Sequence, residues 1–142
     1  MAGGDSSDSA VVNSHGQDYN KKGVLTGSLK GLTSDEIAVV NEFLEQNKNV
    51  EIIPRSDDKT PGFRVDGVKV ELKTLHGSSL NTPVTRIQEG FDQYAEKVII
   101  DARKTELTLE QANDVIKRAL GKYGGKLPGT VEIWTKDGIV RR

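Results

Sequence analysis

The chain has 142 residues, a formal net charge of −1, 35% hydrophobic residues, 29% charged residues and no cysteine. That length suits a single domain, for which roughly 100–200 residues is usual, and the near-neutral charge excludes gripping nucleic acid by bulk charge alone, leaving a local patch or metal ions. The lack of cysteine excludes disulfides and thiolate sites, no run of about 18 apolar residues predicts a membrane helix, and no secretory leader is expected within the chain, which leaves export as part of a longer polypeptide open.

Residues 1–24 are rich in Gly, Ser, Asp and Asn and read as a flexible polar tail or linker, with residues 25–142 forming the domain. Regular structure is expected to begin near Leu32. Thr33-Ser34-Asp35-Glu36 has capping-box spacing, and Ile37, Val40 and Leu44 follow at helical spacing, predicting a helix to about Asn47. Val50 to Ile53 reads as a strand, and Pro54 to Lys59 as a polar connection. Phe63 to Lys73 alternates around Asp66-Gly67, a hairpin signal because a type I′ turn needs positive φ at both central positions. A two-residue loop there pairs Val65 with Val68, Arg64 with Lys69, Phe63 with Val70 and Gly62 with Glu71. Phe63, Val65, Val68, Val70 and Leu72 then share one face, and Gly62, Arg64, Lys69, Glu71 and Lys73 the other.

After a loop from Leu75 to Asn81, Thr82 is expected to cap a helix with Pro83 at its first position, and Val84, Ile87, Phe91 and either Tyr94 or Ala95 mark its buried stripe. Val98-Ile99-Ile100 reads as a strand buried on both sides. Thr108-x-x-Gln111 is a second capping box, followed by a helix carrying Ala112, Val115, Ile116, Ala119 and Leu120 and ending at Gly124-Gly125. Val131 to Trp134, the turn Lys136-Asp137-Gly138 and Ile139-Val140 complete a strand pair. Strands alternating with helices around a hairpin predict an α/β domain, a mixed sheet with flanking helices.

Glu71 and Lys73 project side by side from one strand face. A carboxylate there suits Mg²⁺ or Mn²⁺, and a neighbouring ammonium can steady the charge that develops on phosphate, as phosphodiester cleavage requires. The bland alternative is a solvated hairpin face, for which Glu and Lys are ordinary residues.

The run from Lys59 through Pro61-Gly62-Phe63 to Glu71-Leu72-Lys73 resembles the PD-(D/E)-x-K nuclease core. With Asn81-Thr82 to Arg86-Ile87-Gln88, and Asp92-Gln93-Tyr94 to Ile100-Asp101, the chain is similar to the C-terminal tRNA-nuclease domains of contact-dependent growth inhibition toxins and related bacterial polymorphic toxins. The resemblance spans roughly Leu32 to the C-terminus. It implies a restriction-endonuclease-like fold, metal-dependent tRNA cleavage, Glu71 as metal ligand and Lys73 supporting the nucleophile, with Mg²⁺ or Mn²⁺ as the ion and Zn²⁺ as the alternative. It also implies a cognate immunity protein, a larger delivery polypeptide N-terminal to the chain, and secretion as the C-terminal part of a bacterial toxin acting in the target-cell cytoplasm. One departure stands out: the family pattern has Pro-Asp where this chain has Pro61-Gly62. Either the acid comes from elsewhere (Asp57, Asp58 or Asp66), or the domain is naturally impaired, or the chain carries a disarming change, the account preferred.

Among further candidates, Glu36 is either an additional site acid or simply the capping-box partner, with Glu42 a weaker substitute. His76 is either a phosphate or proton-transfer residue or a plain loop histidine. Ser79, Thr82 and Arg86 lie where a helix start favours phosphate, Gln88 and Gln93 either line the groove or are solvated, and Trp134 reads as core rather than a base-stacking platform. The rival functions are a DNA nuclease on the same fold and a non-catalytic binding module.

Overall fold

The computed structural model describes residues 22–54, 62–77 and 81–142. In chain order the elements are β1 (Leu25–Thr26), α1 (Ser34–Glu45), β2 (Val50–Ile53), β3 (Gly62–Val65), β4 (Val68–Thr74), α2 (Asn81–Asp92), β5 (Lys97–Asp101), α3 (Leu109–Lys122), β6 (Thr130–Thr135) and β7 (Gly138–Arg141). The strands form one seven-stranded sheet whose spatial order follows the sequence, with β2–β3, β3–β4 and β6–β7 antiparallel and β1–β2, β4–β5 and β5–β6 parallel. This is the mixed α/β sheet with flanking helices that the sequence pattern predicts.

Two apolar layers pack on the sheet. Val39, Val40 and Phe43 of α1 cover Val50, Ile52, Phe63, Val70, Leu72, Ile99 and Trp134. On the opposite face, α2 and α3 bring Val84, Ile87, Phe91, Ala112, Val115, Ile116 and Ala119 onto Val98, Ile100, Val131 and Ile133. The strand pair β4–β5 therefore alternates between the layers: Leu72 and Ile99 face α1, whereas Glu71 and Lys73, in register with Val98 and Ile100, face α2.

The hairpin register is the expected one, Phe63 opposite Val70, Arg64 opposite Lys69 and Val65 opposite Val68. Its cause is the turn, where Asp66 and Gly67 have φ of 50° and 85°. Both capping boxes form. The Thr33 hydroxyl accepts from the Glu36 amide while the Glu36 carboxylate accepts from the Thr33 amide, and Thr108 and Gln111 do the same.

Four expectations change. Among the described residues, regular structure starts at β1 rather than near Leu32, because Leu25 and Thr26 find a parallel partner in Val50 and Glu51, a long-range pairing with no local periodicity. The buried stripe of α1 runs through Glu36, Val39, Val40 and Phe43, with Ile37 and Leu44 half-buried at its borders, and the helix ends at Glu45. Thr82 is not the cap of α2: the helix begins at Asn81, and Pro83 is tolerated because first-turn amides have no intrahelical acceptor. The strand expected at Val98 to Ile100 extends to Lys97 and Asp101.

Candidate functional site

Glu71 lies at the middle of β4 with only 4% of its surface exposed. The face it occupies is roofed by α2, where Gly90 approaches so closely that an added Cβ would lie 3.4 Å from the Glu71 Cβ and 2.6 Å from Val98 Cγ2. A helix can come this near a strand only where it carries no side chain. Lys73 follows on the same face, half-buried, and Lys69 precedes it, so three ionisable side chains form a row spaced about 7 Å apart at the strand repeat. The Lys69 ammonium donates to the Gln93 carbonyl at 2.8 Å and lies 5.9 Å from the Tyr94 ring centre. A fully solvated hairpin face is thus overturned for Glu71.

Gly62 is buried on β3 and pairs with Ile53 of β2. Extending the β3–β4 register by one residue sets it opposite Glu71, where it contributes no side-chain oxygen. No group of three or more His, Asp or Glu side chains able to hold a metal occurs among the described residues. The donors present thus fit a divalent ion only in part, through the single carboxylate of Glu71.

The other expected site residues are dispersed. Glu36 belongs to the α1 layer, across the sheet from Glu71, and its carboxylate accepts from the Thr33 amide at 2.8 Å. His76 is also on that side, its Nε2 3.6 Å from Asp35 Oδ2. Thr82 and Arg86 are exposed on α2, Arg86 bonded to Glu89 at 3.0 Å. Gln88 is half-buried and lines a groove with Asn81, Val84, Thr85, Arg118, Gly121 and Lys122. Ser79, Asp57 and Asp58 lie outside the described residues, and Asp66 makes the turn, its carboxylate accepting from the Asn49 amide at 2.8 Å.

A second polar cluster fills a cleft of about 340 Å³ between α1 and the carboxyl ends of β4 and β5. Arg103 stands at its centre. It donates from Nη1 and Nη2 to the two Glu42 oxygens at 2.7 and 2.8 Å, and from Nε and Nη2 to Asp101 at 2.9 Å each. Its guanidinium also lies over the Trp134 ring at 4.6 Å, and these hydrogen bonds, Glu42 foremost, raise its pKa further above an already high value. Lys104 bonds Asp35 at 2.5 Å and holds that carboxyl below its ordinary range. The sequence gives no sign of Arg103, because Glu42 is 61 residues away along the chain. Trp134 is core, as expected: 8% exposed and edge-on to Phe43.

No helix among the described residues is long and apolar enough to cross a membrane. The sequence model of a family described as the contact-dependent growth inhibition CdiA C-terminal domain matches residues 59–140, more than half of the chain. No curated protein matches it by sequence. A solved structure to which the chain is similar is a "CdiA-CT/CdiI toxin and immunity complex from Burkholderia pseudomallei", with a TM-score of 0.50 and 13% identity over 84% of this chain and 98% of that one. At that identity the likeness concerns the fold.

Proposed function

The chain belongs to the contact-dependent growth inhibition CdiA C-terminal domain family, toxin domains of interbacterial competition, and from that premise we propose that it is a metal-dependent nuclease toxin whose site is built on the β3–β4 hairpin and half-complete at Gly62. The observation that carries this reading is the burial of Glu71 beside Lys73. Taking a carboxylate out of water costs several kcal/mol before compensation, and a solvated face would not incur that cost. With an acid restored at position 62, two carboxylates would face each other across the hairpin, and Glu71 would hold Mg²⁺ or Mn²⁺ with hard oxygen ligands. Such an ion, when bound, would supply Lewis-acid chemistry at a phosphoryl oxygen. Lys73 would neutralise charge developing on the phosphate.

The proposed substrate is tRNA, on the family resemblance of the hairpin and of the helix and strand after it, with DNA as the alternative. The neighbour's complex supports a cognate immunity protein as partner. The family's description as a C-terminal domain supports a larger polypeptide that is secreted and delivers this domain to act in the target-cell cytoplasm. Incubating total tRNA and plasmid DNA with the chain and with its Gly62→Asp form, with and without Mg²⁺, tests the reading. Cleavage of tRNA that rises with the restored acid and requires the ion is expected. Cleavage of DNA alone moves the assignment to the alternative. A specific feature favours a second reading, the non-catalytic binding module: Gly62 supplies no acid, and no cleavage by either folded form would select it.

A further inference from the structure

Each of the three helices ends in a residue with left-handed backbone: Asn47 at φ 62°, Tyr94 at φ 66° and Gly124 at φ 68°. The stops of α1 and α2 are Schellman arrangements, and after α3 the Gly125 amide donates to the Leu120 carbonyl at 2.8 Å. After α2 the Ala95 amide donates to the Gly90 carbonyl at 3.3 Å and the Tyr94 amide to the Phe91 carbonyl at 2.9 Å. Glycine and asparagine are the ordinary occupants of this position, whereas a bulky aromatic there is an outlier. Packing does not compensate, because Tyr94 is 84% exposed while the next residue, Ala95, is buried. Strain of this kind, unrelieved by burial, accompanies functional positions.

What surrounds the ring gives it a role. Lys69 is fixed by the Gln93 carbonyl with its ammonium near the ring, and it begins the row that continues through Glu71 to Lys73. Arg64 pairs with Lys69 across the hairpin and is exposed on the same face. An exposed aromatic plane with the Lys69 ammonium at its face, and Arg64, paired with Glu51 at 3.4 Å, further along the same hairpin face, suits a single-stranded nucleic acid, whose bases stack and whose phosphates need neutralising. We propose that Tyr94 is a base-stacking platform that, with Lys69, receives a single strand at the end of β4 beside the C-terminus of α2. This rests on the nuclease reading for its substrate class and adds the residue that receives the base.

The test is fluorescence anisotropy of a labelled ten-nucleotide single-stranded RNA in EDTA, where metal-dependent cleavage cannot occur. Tyr94→Ala should weaken binding by about tenfold or more, while Tyr94→Phe, which keeps the aromatic face, should bind like the parent. Tyr94→Asn, which suits left-handed backbone and so retains the fold, should lose as much as the alanine form. Parent-like binding by Tyr94→Asn overturns the platform, as does no binding of the RNA by the parent or an equal loss on a duplex probe, in which bases are not available to stack. Because no cleavage is read, the platform can fail while the nuclease reading stands. A loss of binding in Tyr94→Asn supports the platform even if Gly62→Asp fails to cleave.

Discussion

Gly90 is the point where the fold and the candidate site depend on the same few atoms. A Cβ at this position would lie 2.6 Å from Val98 Cγ2, 3.2 Å from Val98 Cγ1 and 3.4 Å from the Glu71 Cβ. Val98 is fully buried and stiff about χ1, so it cannot swing away. Overpacking of this sort costs about 1–3 kcal/mol, against a gain of about 1 kcal/mol from replacing helical glycine by alanine. Gly90→Ala should therefore lower stability by about 1 kcal/mol and push α2 away from Glu71. Val98→Ala alone leaves a cavity and should cost about 2–3 kcal/mol. In that background the clash is gone and the new methyl fills part of the cavity, so Gly90→Ala should now stabilise by about 1 kcal/mol. The change of sign is a coupling of about 2 kcal/mol, within the range for residues in contact. Urea unfolding followed by the fluorescence of the sole tryptophan, Trp134, measures it. Equal effects of Gly90→Ala in both backgrounds would refute the close approach of α2 to β5.

Three other outcomes follow from particular contacts. Tyr94→Gly should raise stability by about 1 kcal/mol in the same assay, because glycine adopts left-handed backbone without strain, and a fall would show that the tyrosine ring stabilises the fold. Glu132 is buried, which pushes its pKa up, yet hydrogen bonds from Lys97, Trp134 and Arg141 outweigh this and hold it at about 2 against an ordinary 4.5. Its contribution, up to about 3 kcal/mol, is therefore complete above pH 4.5 and lost as pH falls toward 2; Glu132→Gln should flatten that limb of an acid titration, and an unchanged limb would contradict the assignment. Arg103→Ala should cost on the order of 1–3 kcal/mol and speed hydrogen exchange in α1, since it removes charge-assisted bonds joining Glu42 to Asp101; unaltered exchange would show that the bridge does not hold the helix.

What could be read from the sequence was mostly local. The register of β3 and β4 follows from Asp66-Gly67, and both capping boxes from four-residue spacings, because the forces that set them act within a turn or two. Alternation also separated Glu71 and Lys73 from Leu72. It could not tell which face a helix would cover, so the burial of Glu71 and the near contact at Gly90 appear only once α2 is docked. Periodicity alone leaves Tyr94 and Ala95 equivalent for the buried stripe for a similar reason: the helical period ends there, and the left-handed turn sends Ala95 inward and Tyr94 out. The Arg103 cluster joins residues distant in sequence and has no periodic signal, as is also true of β1 pairing with β2.

The most direct test of the hairpin as a nuclease site is the initial rate of Mg²⁺-dependent tRNA cleavage by the Gly62→Asp protein with and without Glu71→Gln, both checked for native folding. Measurable cleavage by the first and a loss of at least a hundredfold in the second are expected, while folding is retained. Equal rates in the two proteins would contradict the hairpin site and remove Glu71 from the chemistry.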